Sequence, residues 1–214
     1  MTEIASKKML QDRIPCGRFG VAASREEAGR LFESLGLEKA VVKVESPDIL
    51  HKSDAGCVKL NIRSPKEAEE AFDAIFSNAK AYDANARIEG VQVCEMMKPG
   101  TELIIGVKND PQFGPCVLCG LGGIYVEVFK DTALGLAPLS SAEAMDMIDS
   151  LKSVRLLNGY RGQPALDKKA FADALVEISR FACAHADDMA ELDINPVFLY
   201  EEGLCAVDAL YIRG

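Results

Sequence analysis

Histidine is scarce in this chain, with two among 214 residues, His51 and His185. That scarcity excludes a zinc cluster built on imidazole. Export signals are missing too. The opening Met1-Thr2-Glu3-Ile4-Ala5-Ser6-Lys7-Lys8 has no apolar signal core and carries an acid, so the expected location is the cytoplasm. No hydrophobic run approaches the ~18 residues that span a bilayer. Positive charge is in short supply, with 24 Lys and Arg against 33 Asp and Glu. The resulting net charge of −9 disfavours nucleic acid or an anionic membrane as partner. Glycine signatures for nucleotides are absent: there is no G-x-G-x-x-G and no P-loop, so neither Rossmann nor Walker logic applies. No internal repeat or low-complexity tract interrupts the chain.

Seven cysteines, an odd number without an export signal, are expected to be reduced thiols. Cys116-Val117-Leu118-Cys119 has C-x-x-C spacing, but in an apolar, strand-like setting. Positions three apart on a strand point to opposite faces, which argues against a redox or metal pair.

What is present is ordinary globular material, 49% hydrophobic and 27% charged. The length suits one large domain or two small lobes. The pattern predicts a helix over residues 3–12, a short strand at Val21–Ala23, and a helix opened by the Ser24/Glu27 capping pair and stopped at Gly36. Strands follow at Ala40–Val44 and Val58–Ile62, then a helix from Ser64-Pro65 to about Tyr82, and a strand at Val91–Glu95. After Lys98-Pro99-Gly100, strands are predicted at Glu102–Val107, Cys116–Cys119 and Ile124–Phe129, and helices over Ser141–Ser153 and Asp167–Ala186. Two closing strands fall near Glu191–Ile194 and Ala206–Leu210. The fold class is α+β.

Several residues could carry chemistry. Lys43 lies in a valine-rich strand and is costly to bury unless it meets an anion, the other reading being a lysine that snorkels at a sheet edge. His51 sits in a polar turn, Glu45 to Gly56, whose glycine lets backbone N–H groups approach a phosphate. A neutral imidazole is nucleophilic near neutral pH and can accept a phosphoryl group, although the residues of this window by themselves favour a plain surface histidine. His185, late in a helix, fits a cation complementing the helix C-terminus. Glu95 and Glu102 flank an apolar linker carrying Met96 and Met97, an arrangement suited to gripping adenine and ribose or to two solvated strand ends. Gly120-Leu121-Gly122-Gly123 is a glycine-rich turn after a strand. Glu191, Asp193, Asn195 and Asp208 gather oxygen ligands; an Asp and an Asn across a hairpin could hold Mg²⁺, while an acidic edge strand that deters aggregation has the same composition.

Together these blocks resemble the ATP-grasp (β) subunit of ADP-forming acetate or acyl-CoA synthetases, and more distantly the β subunit of succinyl-CoA synthetase. The resemblance runs from Val41–Asn61 through Val91–Asp110, Pro111–Pro115, Gly120–Asp131 and Gly159-Tyr160-Arg161-Gly162 to Glu191–Pro196. It implies an ATP-grasp fold of two α/β lobes with the nucleotide between them, a small lobe over residues 18–96 and a large lobe over 1–17 plus 97–214. It implies the reaction acid + CoA + ATP ⇌ acyl-CoA + ADP + phosphate, with the phosphoryl group passing through a histidine. By this resemblance His51 is the relay, Lys43 contacts the phosphates, Glu95, Met97 and Glu102 line the adenosine pocket, and Asn195 and Asp208 ligate Mg²⁺. The implied cofactors are ATP/ADP and Mg²⁺, and the implied partner is a CoA-binding α subunit that handles the carboxylic acid. Two departures stand out: Cys57 replaces a usual second glycine, and Gly135 stands where an arginine is usual. A degenerate nucleotide-binding regulatory subunit and an ATP-grasp carboxylate–amine ligase are the alternatives, the latter needing no histidine.

Overall fold

The computed structural model describes residues 1–49, 51–123 and 130–214; the strand expected over Ile124–Phe129 lies outside them. The chain divides into two compact units. One comprises Thr2–Ala5 and Gly17–Lys98, the other Met1, Ser6–Cys16 and Pro99–Gly214. The first helix, α1 (Glu3–Leu10), contributes to both.

The first unit is a four-stranded antiparallel sheet, in order β1 (Phe19–Ala22), β4 (Gly90–Glu95), β2 (Ala40–Glu45) and β3 (Val58–Ile62). Helices α2 (Arg25–Ser34) and α3 (Pro65–Tyr82) accompany it. Each begins where the sequence predicts: the Ser24 and Ser64 hydroxyls accept the N–H groups of Glu27 and Glu67, both at 3.2 Å. On β2, Val42 and Val44 pair with Val93 and Val91 of β4. These valines are fully buried in one cluster with Phe32, Phe72 and Ile75 from the helices. Burying each such side chain contributes roughly 1.5–3 kcal/mol. Alternation therefore turns Lys43, Glu45 and the Gln92 opposite Lys43 to the other face of the sheet.

The second unit holds a six-stranded sheet, in order β10 (Leu210–Arg213), β8 (Met189–Leu199), β5 (Thr101–Asp110), β6 (Gly114–Leu121) and β7 (Thr132–Leu136), with β9 (Leu204–Ala206) on β8. Helices α4 (Ser141–Ser150), α5 (Val154–Leu157) and α6 (Lys168–Ala184) complete it. Phe171, Leu175, Ile178 and Ala182 of α6 recur at helical spacing and enter one core with Leu103, Ile105, Val117, Ile194 and Val197.

Several elements differ from expectation; the closing strand expected at Ala206–Leu210 is instead β9, which ends at Ala206, and β10, which begins at Leu210. Strand β7 is not legible because its exposed positions, Leu134 and Leu136, are apolar, whereas its inward ones are Ala133 and Gly135. The helix expected through Ser153 stops at Ser150, because the Asp131 carboxylate takes the N–H groups of Lys152 and Ser153 at 2.9 and 2.8 Å. Strand β8 runs on to Leu199 because β5 supplies a partner along it, with a register shift opposite Asn195-Pro196.

All seven cysteines are free, and no described helix is long and apolar enough to cross a membrane. Burial pushes the Cys119 thiol up to about 12, leaving it inert at neutral pH.

Candidate functional site

In the first unit, Lys43 is only 9% exposed, and the anion its burial requires is internal. Glu3 Oε1 lies 2.8 Å from Lys43 Nζ, and Glu3 Oε2 lies 3.1 Å from Lys52 Nζ. Gln92 donates its side-chain amide to Glu3 at 3.3 Å and also, by a short bond, to Glu45. Glu45 in turn accepts the backbone N–H of Ile4 at 3.3 Å. Burial pushes the Glu45 carboxyl above its ordinary range, with the neighbouring Glu3 charge adding to the effect and hydrogen bonds opposing it. Lys43 is thus a buried, paired lysine, and the sheet-edge snorkelling reading is not what the structure has.

His51 is exposed, at the head of a turn closed by bonds from Ala55 N–H to its carbonyl and from Cys57 N–H to the Lys52 carbonyl. Gly56 holds the left-handed turn at φ 64°. Cys57, by contrast, does not have a positive φ, and its thiol packs fully buried against Ala55 O and Ile75 O of α3. The glycine usual there in the resembling family is replaced without backbone strain.

At the end of β4, Glu95 is held by Arg18: Nε and the backbone N–H reach Oε2 at 3.0 and 3.1 Å, and Nη2 reaches Oε1 at 2.8 Å. These bonds hold its carboxyl below the ordinary range. Met96 donates its N–H to Lys39 O, and Met97 packs its sulfur beside Gly17.

In the second unit, Glu102 and Asn195 converge on the glycine-rich turn. Asn195 Oδ1 accepts the Gly123 N–H at 3.0 Å, and Gly122 N–H bonds the Glu102 carbonyl at 2.8 Å. A β-carbon on Gly123 would collide with the Glu102 carboxylate. Asn195 and Asp208 stand across the β8–β9 hairpin, one step beyond the Val207 N–H to Pro196 carbonyl bond. Crowding of the Asp193 carboxyl by protein, then the charges of Asp208 and Glu191, push it above its ordinary range. Like charges held near one another are a setting that a hard divalent cation would relieve. Among the described residues no group of three or more His, Cys, Asp or Glu is arranged to hold a metal ion.

A β-carbon on Gly135 of β7 would meet Met147 Sδ at 2.6 Å and Leu139 Cδ2 at 2.8 Å, so the ends of those two side chains would have to shift to admit it. His185 caps α6, its Nδ1 2.9 Å from the Phe181 carbonyl and its ring stacked on Phe181, as expected of a helix C-terminus. Sequence reasoning missed Glu3 and Gln92. The signal for Gln92, a polar residue flanked by valines in a strand, was available; Glu3 gave none.

The sequence model of the ATP-grasp domain family matches residues 1–212, and the chain belongs to that family. It is 43% identical over 199 residues to the β subunit of acetate–CoA ligase (ADP-forming) I of Pyrococcus furiosus, covering 93% of this chain and 85% of that one. A 43% match covers 94% of this chain but only 29% of acetate–CoA ligase (ADP-forming) I of Archaeoglobus fulgidus, so relatives exist in which this region is under a third of the protein. Among solved structures, the dinucleotide-forming acetyl-coenzyme A synthetase 1 of Ca. Korarchaeum cryptofilum, with coenzyme A and Ca-AMPCP, aligns at TM-score 0.95 and 41% identity, over 100% of this chain and 93% of that one. The same enzyme with coenzyme A and Mg-AMPPCP, its phosphohistidine segment pointing towards the nucleotide site, aligns at TM-score 0.86 and 38% identity, over 99% and 92%.

Proposed function

We propose that this chain is the nucleotide-binding subunit of an ADP-forming acyl-CoA synthetase, working with a CoA-binding partner subunit to interconvert acid, CoA and ATP with acyl-CoA, ADP and phosphate. The observation that carries the proposal is the exposed imidazole of His51 on a turn whose next residue, Lys52, shares one buried carboxylate with Lys43.

In this reading the lysine ammonium groups offset phosphate charge, and a ring nitrogen of His51 attacks the terminal phosphorus. The bond from phosphorus to the bridging oxygen breaks and ADP leaves. Catalysis is then positioning plus charge neutralisation. Glu95, Met97 and Glu102 contribute to the adenosine pocket, Glu95 by way of its pair with Arg18. Asn195 and Asp208 would hold Mg²⁺, whose role is to neutralise phosphate oxygens.

A second reading, a subunit that binds nucleotide without transferring phosphate, is favoured by Gly135, whose side-chain space is filled by Met147 and Leu139. Labelling with γ-labelled ATP and Mg²⁺ separates the two. Acid-labile label that disappears in His51→Ala supports the relay. ATP binding without label, even with the partner subunit present, supports the second reading, and equal labelling of both proteins removes His51 as acceptor.

A further inference from the structure

We propose that Glu3 is a positioning residue for the phosphoryl-transfer step, acting through Lys43 and Lys52; the inference rests on the reading of the His51 turn just given. A buried lysine needs one anion, and a carboxylate bonded to Lys43 alone would satisfy that need. Glu3 does more. Its oxygens are divided, Oε1 to the strand lysine and Oε2 to Lys52, the residue after His51. One rigid group therefore ties the β2 cation to the turn that carries the exposed imidazole. Long lysine side chains lose much rotamer freedom when fixed, so a divided carboxylate removes that cost before nucleotide arrives.

Glu3 is itself fixed. Its side chain is 2% exposed, the Gln92 amide contacts Oε2, and the same amide bonds Glu45. Glu45 accepts the Ile4 N–H, anchoring the first turn of α1 where Glu3 sits. Gln92 stands directly opposite Lys43 in the β2–β4 ladder. Packing alone does not require an amide that orients a carboxylate, which then orients two ammonium groups. A positioning role predicts a loss in the transition state rather than in ground-state binding, because the lysines are needed most where phosphate charge redistributes.

The test measures acid-labile labelling of the full chain from γ-labelled ATP and Mg²⁺, with Mg·ATP affinity by calorimetry, for wild type, Glu3→Gln and Glu3→Asp. The expected result is a tenfold or greater fall in labelling rate at saturating ATP for Glu3→Gln, with the dissociation constant changed less than threefold. Glu3→Asp, charged but shorter, should fall between. If Glu3→Gln does not fold by circular dichroism, Glu3→Asp decides, and a wild-type rate in it overturns the inference. A wild-type labelling rate in Glu3→Gln overturns it as well. Tighter ATP binding with faster labelling would make Glu3 a plug in the phosphate site and also overturn it. A wild type that takes no label even with the CoA-binding partner subunit added removes the functional reading beneath, a failure distinct from the other two.

Discussion

Asn195 Oδ1 accepts the backbone N–H of Gly123 at 3.0 Å, joining residues 72 apart in sequence. The same glycine faces the Glu102 carboxylate and has φ 61°, a backbone state that costs an L side chain ~1–2 kcal/mol. The turn is thus held from two strands, β8 through Asn195 and β5 through Glu102.

Gly123→Ala should therefore weaken more than the turn. Displacing Glu102 is expected to reduce Mg·ATP affinity at least tenfold, while the midpoint of thermal unfolding without nucleotide falls by only a few degrees. Calorimetry on both proteins checks this, and unchanged affinity would remove Glu102 from the adenosine pocket.

Asn195 and Asp208 are expected to govern the response to magnesium. Mg·ATP at about 100 times its dissociation constant stabilises a native protein by ~2.7 kcal/mol. Asp208→Asn should lose most of the additional thermal shift that Mg²⁺ gives over ATP alone. A full magnesium-dependent shift in that variant would move the metal elsewhere.

The Arg18–Glu95 pair carries a pH signature. Glu95 has a depressed carboxyl, so its contribution to stability is present above the unfolded glutamate value of about 4.3 and is lost as pH falls through the lower, folded value. The two side chains are 50% and 28% exposed, so solvent screening keeps the pair's contribution small. Glu95→Gln should be slightly less stable than wild type at pH 7, by a difference that shrinks below pH ~4, as read by urea unfolding at each pH. A constant difference down to pH ~3 would show that hydrogen bonding, not charge, holds the pair.

The two departures from the family pattern have different structural meanings. At Cys57 the backbone is not left-handed and the thiol fills core space under α3, so the usual glycine is not required for the turn. At Gly135 the space is occupied by Met147 and Leu139, so an arginine there would have to displace packed side chains of the α4 region. The first departure leaves the His51 turn closed. The second leaves position 135 without a charged side chain.

Much of this protein was legible without coordinates because local rules act within a few residues. Ser24 and Ser64 announce their helices through hydrogen bonds spanning three positions. The valines of β2 and β4 announce a two-faced sheet through alternation, and Pro65 and Gly36 mark a helix start and stop. Lys43 and His51 were recognisable as candidates because charge in a valine strand and imidazole beside lysine are chemically conspicuous. The chain's own partners for them were not. Glu3 reaches Lys43 across 40 residues and Gln92 reaches Glu3 across 89, and no local pattern encodes a pairing that forms only when the start of α1 packs against the sheet. The early stop of α4 and the extension of β8 likewise came from distant groups, Asp131 and β5, supplying hydrogen bonds that outweighed local propensity. Sequence determined most of the elements and which side chains are candidates for chemistry; tertiary structure decided which of those side chains meet, because burial in a low-dielectric interior makes a charge's partner, rather than its neighbours in the chain, set its energy.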